Sequence, residues 1–182
     1  MIPMKTDVEG KQMKEKQIAL ALLVNNNPGV LSRVAGLFAR RGYNIDTITA
    51  GATNDPDYTR ITVAVTGDDD ILEQIRNQIA KLEDVVKIIE LHDKESVCRE
   101  LTLVKIRANK QEKQEVISIA DIFRAKVVDV GPESLMIELT GDLSKVDAFL
   151  KLLEDFEVIE MVRTGLTGLA RGSVGIKELI HS

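Results

Sequence analysis

The chain has 182 residues, of which 44% are hydrophobic; that supports a buried core in one large or two small domains and excludes general disorder. A net charge of -5, aromatics at 3% and the absence of Trp exclude the basic field and base-stacking platforms of a nonspecific nucleic-acid binder. No apolar run reaches the roughly 20 residues of a membrane-spanning helix. The one cysteine, Cys98, cannot form an intramolecular disulfide, which makes a reducing cytoplasm the natural setting.

Residues 1–17 are polar and lysine-rich, carry no apolar core of a secretion signal, and read as a frayed leader. An apolar strand follows, Ile18 to Val24, and then the loop Asn25-Asn26-Asn27-Pro28-Gly29. The loop opens a helix whose apolar positions Leu31, Val34, Leu37 and Phe38 recur near the helical period. Asn27 suits the N-cap and Pro28 the first helical position, where its missing N–H costs nothing. The N–H groups of Gly29, Val30 and Leu31 then point out of a helix start without internal partners, a site for a carboxylate or phosphate. A well-capped turn with no ligand fits the same residues.

Beyond a strand from Asn44 to Ala50 and a turn at Asn54 to Asp57, the chain begins to repeat itself. Thr66-Gly67-Asp68 recurs as Thr140-Gly141-Asp142, each after a strand (Ile61–Val65, Leu135–Leu139) and each before an amphipathic helix. The first helix carries Ile71, Leu72, Ile75, Ile79 and Leu82, the second Leu143, Val146, Phe149, Leu150, Leu153 and Phe156. Asp68 and Asp142 suit the N-caps. Short strands Val85–Ile89 and Val158–Val162 close the two copies, and Leu101–Ile106, a helix ending at Ile122-Phe123 and Lys126–Val130 complete the second. The pattern predicts an α+β protein of two tandem ferredoxin-like βαββαβ domains, 16–92 and 97–172, divided at the charged run His92 to Glu95.

The copies differ. Phe38 to Thr66 spans 28 positions and Phe123 to Thr140 spans 17, so the first has the longer central hairpin. The second reads a charged loop, Asn109 to Lys113, where the first has Pro28-Gly29, so a small anionic ligand is expected in the first domain. No catalytic or metal constellation is expected. The two histidines, His92 and His181, lie at the domain boundary and beside the last residue, and Cys98 reads as a small buried hydrophobe. Asp68-Asp69-Asp70 reads as a helix start or as a weak signal for a hard cation. Arg40 and Arg41 read as a solvated helix end, Arg163 and Arg171 as loop residues or contacts to a partner.

The runs Asn26 to Val34, Gly36-Leu37-Phe38 and Arg41-Gly42-Tyr43-Asn44-Ile45 resemble an ACT domain. With Arg99 to Ile106, Ile122 to Gly131 and Arg163 to Gly172, the chain from about Lys16 to Gly172 resembles the regulatory (small) subunits of acetolactate synthase. Only the leader and the tail from Ser173 lie outside the resemblance. It implies a non-catalytic chain that binds and activates a catalytic subunit and passes on feedback inhibition by valine or another branched-chain amino acid. It also implies that thiamine diphosphate, FAD and Mg²⁺ belong to that partner, with none on this chain, and that two ACT domains pair as a homodimer with the amino acid between them. The effector pocket of the family maps onto Asn26, Gly29, Val30, Leu31, Asn44 and Ile45, with Gly51 as a small spacer. In those roles the N–H groups of Gly29 to Leu31 meet the carboxylate, Asn26 and Asn44 accept from the ammonium, and Leu31 and Ile45 form an apolar wall. A free-standing amino-acid sensor controlling transcription is the alternative; the acidic balance and the missing basic helix-turn-helix count against it.

Overall fold

The computed structural model describes residues 15–181, apart from the side chains of residues 176, 177 and 181. Most of the leader, and His181 as a side chain, lie outside the described residues. Two compact units result among the described residues: those up to Ser96 together with those from Leu169 on, and Val97–Gly168. Residues 169–172, expected at the end of the second domain, thus cluster with the first unit.

In the first unit β1 (Lys16–Asn25), α1 (Val30–Arg41), β2 (Thr47–Ala52), β3 (Tyr58–Gly67), α2 (Asp69–Ile79) and β4 (Val85–Glu90) follow the predicted order. The strands form an antiparallel sheet ordered β2-β3-β1-β4, and β2 is an edge. Leu20, Leu22 and Val24 of β1 and Ile61, Val63 and Val65 of β3 alternate onto one face, where Val34, Leu37 and Phe38 of α1 and Leu72, Ile75 and Ile79 of α2 cover them. Asp68 caps α2 as predicted, accepting from the Ile71 N–H at 2.8 Å. Asp69 of the same triplet pairs with Lys16 at 2.6 Å. Among the described residues no group of three or more His, Cys, Asp or Glu could hold a metal ion.

The second unit repeats the order in β5 (Ser96–Arg107), α3 (Lys110–Ile122), β6 (Lys126–Val130), β7 (Ser134–Gly141), α4 (Leu143–Leu152) and β8 (Glu157–Arg163). Its sheet runs β6-β7-β5-β8. Val104 and Ile106 of β5, Ile137 and Leu139 of β7, Val116 of α3 and Val146 and Phe149 of α4 make the core. Asp142 caps α4, accepting from the Lys145 N–H at 2.9 Å. A Ser144 hydroxyl and that N–H hold the Asp142 carboxyl below its usual range.

Several expectations need correction. Lys16 and Gln17, assigned to the leader, belong to β1. The strand expected from Asn44 starts at Thr47, because Gly42 ends α1 in the left-handed region at φ 69° and Asn44 and Asp46 lie in the approach. Leu31 and Ile71 are exposed; α1 buries Val30 in place of Leu31. The charged stretch from Asn109 is a helix start and not a loop. Asn109 accepts from the N–H groups of Gln111 and Glu112, and Glu112 accepts from the Asn109 N–H, a reciprocal capping box. The glycine-bearing end contains a strand, β9 (Thr167–Ala170), which pairs with β5. A short helix, α5 (Ile176–His181), follows. Cys98 is half-buried on β5. Arg163 turns to Glu100, which is 1% exposed, and grips both carboxylate oxygens.

Candidate functional site

The turn between β1 and α1 is built by long-range ties. The Asn25 N–H donates to the Asp84 carbonyl at 2.9 Å, and the Asn26 N–H to the Asp57 carbonyl at 2.8 Å. The Asn26 carboxamide donates to the Pro56 carbonyl at 2.9 Å and accepts from the Thr59 hydroxyl at 3.0 Å. Asn26 therefore clamps the tip of the β2–β3 hairpin, a job its position in the sequence does not suggest. Its oxygen keeps one lone pair for a further donor.

The expected cap is displaced by two residues. Gly29, not Asn27, is the N-cap of α1, at φ 82° and ψ -1°, and Pro28 lies ahead of the helix. The Asn27 side chain lies close enough to Asp84 to help hold its carboxyl low, and its carbonyl takes the Val30 N–H at 3.4 Å. Arg33 donates from Nε to Asp84 at 2.6 Å. That guanidinium is the main reason the Asp84 carboxyl is held below its usual range, and the pair raises Arg33 in turn. A Cβ built on Gly29 would stand 3.1 Å from Arg33 Nη1, so the arginine lies beside the bare backbone.

No side chain caps α1. Among the described residues the N–H groups of Gly29 and Leu31 find no acceptor, whereas that of Val30 is turned toward Asn27. Two of the three expected free donors are thus open, at the positive end of a helix of 12 residues. The equivalent end of α3 is closed by its own capping box. The contrast between the two copies therefore lies in donors left open in one and consumed in the other.

The remaining predicted residues are elsewhere. Asn44 and Ile45 follow the other end of α1, and at 1.5 Å per residue its 12 residues put about 18 Å between the two groups. Asn44 is exposed, and Ile45 packs against the core margin. Gly51 sits on edge strand β2 opposite Arg60, at the Asn26 end of the sheet, with nothing within 4 Å of the place a Cβ would occupy. Val30 is core, so only its backbone faces the turn. One chain thus brings together Asn26, Gly29, Val30 and Leu31 and keeps Asn44 and Ile45 apart from them. Asp46, which sequence reading passed over, accepts from Gln17, Thr66 and Asn44.

Residues 20–87 match the ACT domain typical of acetohydroxyacid synthase small subunits, and residues 99–172 match the small subunit of acetolactate synthase. A probable acetolactate synthase small subunit from Methanothermobacter thermautotrophicus is 47% identical over 163 residues, 89% of this chain and 97% of that protein. The acetolactate synthase small subunit of Mycobacterium bovis is 46% identical over 164 residues, 90% of this chain and 98% of its own. The crystal structure of the acetolactate synthase small subunit from Thermotoga maritima superposes with a TM-score of 0.79 at 42% identity, covering 87% of this chain and 99% of that one. Whole-length identity of this order, joined to the same two-unit fold, shows that the chain belongs to the acetolactate synthase small-subunit family.

Proposed function

We propose that this chain activates an acetolactate synthase catalytic subunit and passes on feedback inhibition by valine or another branched-chain amino acid. The amino acid is held between two paired ACT units. The observation that carries this reading is the division of the candidate site between the two ends of α1. Two copies paired along their open β2 edges, with their α1 helices antiparallel, set the Gly29 end of one beside the Asn44 end of the other. Each copy alone is then half a site, and a homodimer has two.

The chemistry follows from the parts. The carboxylate meets the open N–H groups of Gly29 and Leu31 beside the Arg33 guanidinium. The ammonium is taken by the carboxamide oxygens of Asn26 and of the facing Asn44. The exposed Leu31 and half-buried Ile45 close on the branched side chain, and Gly51 leaves room at the edge. Thiamine diphosphate, FAD and Mg²⁺ serve the catalytic subunit in a cytoplasmic complex, and this chain alone forms no acetolactate.

The test is a valine titration of the reconstituted enzyme. Removing one hydrogen bond to a charged group costs about 1.5–3 kcal/mol, so Asn44→Ala should raise the inhibiting valine concentration roughly 10- to 150-fold while activation persists. An unchanged titration would place the pocket elsewhere and leave the Gly29 loop as a turn.

A further inference from the structure

Asp46 occupies the junction between Asn44 and β2, and its two oxygens have different partners. Oδ2 accepts from Gln17 Nε2 at 2.8 Å and from Thr66 Oγ1 at 2.7 Å. Gln17 and Thr66 face each other across β1 and β3, so this oxygen is pinned to the sheet. Oδ1 accepts from Asn44 Nδ2 at 3.3 Å. A carboxylate only accepts, so it admits one orientation of the Asn44 amide: NH₂ toward Asp46, carbonyl oxygen away. That carbonyl oxygen makes no hydrogen bond among the described residues.

We infer that Asp46 sets the ligand specificity of the site by locking the Asn44 amide so that its oxygen faces outward as the leading acceptor while one of its two N–H donors is spent on the carboxylate. This rests on the effector reading above and deepens it. A 2-amino acid and the 2-oxo acid of the same skeleton share the carboxylate and the branched side chain and differ at the second carbon. The ammonium needs acceptors; the oxo group needs donors. An asparagine amide free to rotate serves either equally, whereas one tied to a carboxylate turns its oxygen to the ligand and favours the ammonium. The site then prefers the amino acid to the oxo acid.

The discriminating variant is Asp46→Asn. Gln17 and Thr66 still donate, so the new amide keeps its oxygen on them and turns its NH₂ toward Asn44. Asn44 must then present its oxygen to residue 46 and its NH₂ outward, the reverse of the native arrangement. Calorimetric titration of the purified chain with valine and with the 2-oxo acid of valine reads the result directly. Wild type should bind valine at least about 100-fold more tightly than the oxo acid, and Asp46→Asn should reduce that ratio at least about tenfold, with valine weakened and the oxo acid strengthened. Asp46→Glu, which still only accepts, should keep the preference for valine, and thermal melting of each variant monitors folding. A loss of affinity for both ligands in proportion, or an unchanged ratio, would overturn the assignment. Failure of the parent reading looks different: Asn44→Ala would then bind valine as wild type does.

Discussion

Gly29→Asp is expected to abolish the response to valine while leaving activation of the catalytic subunit in place. The backbone at this position has φ 82°, and the open N–H groups of Gly29 and Leu31 adjoin the new side chain. A Cβ here stands 3.1 Å from Arg33 Nη1, so the introduced carboxylate reaches the guanidinium and draws it from Asp84. It also sets a negative charge where the proposed pocket would take the ligand's carboxylate. Losing charged hydrogen bonds and gaining repulsion should weaken the response by more than about 100-fold. Strain contributes less, because Asp tolerates the left-handed region better than most residues and costs about 1 kcal/mol there against glycine. Gly29→Ala separates the two effects: it carries the strain without the charge and should retain much of the response. Valine titrations of the two variants beside their melting curves make the comparison. Equal losses in both would mean that backbone strain, and not charge, governs the site.

The second large effect concerns stability. Arg163→Met strands the Glu100 carboxylate, which is 1% exposed and loses a partner on both oxygens. Breaking a buried pair from one side costs about 3–5 kcal/mol, and since Arg163 itself is 31% exposed we expect the lower end, near 3 kcal/mol. Chemical denaturation of the full chain measures it. The double variant Glu100→Leu with Arg163→Met should recover most of the loss, because an apolar pair leaves no uncompensated charge. A single variant as stable as wild type would show that water reaches Glu100 and that the pair carries little.

The tandem fold was legible because its signals are local. Thr66-Gly67-Asp68 and Thr140-Gly141-Asp142 each end a strand and cap a helix, and both aspartates cap as their spacing indicates. Asn109 with Glu112 is also a readable capping signature, masked by the run of polar and charged residues from Asn109 to Lys113 around it. The Gly29 cap was not legible. Asn27-Pro28 is a good local helix start, but the chain turns through Gly29 in the left-handed region and the helix opens at Val30. The same slip puts Val30 in the core and Leu31 in solvent. The separation of Gly29 from Asn44 was implicit in the 12 residues of helix between them. The clamp of Asn26 on the hairpin and the lock of Asp46 on Asn44 depend on strand register, which local pattern does not reveal.

The proposed completion of each effector site by two copies of the chain is open to test by mixing complementary variants. Gly29→Asp destroys the turn half of the site and Asn44→Ala the half at the far end of α1. In a dimer of one chain of each kind, one site holds both defects and the other holds neither. Coexpressed in equal amounts with the catalytic subunit, the two variants should therefore regain inhibition at wild-type valine concentrations in the mixed dimers, about half of the population, although neither variant responds there alone. If both halves of a site came from one chain, no mixed dimer would contain an intact site. A coexpressed mixture as unresponsive as its parents would rule out a site shared between two copies.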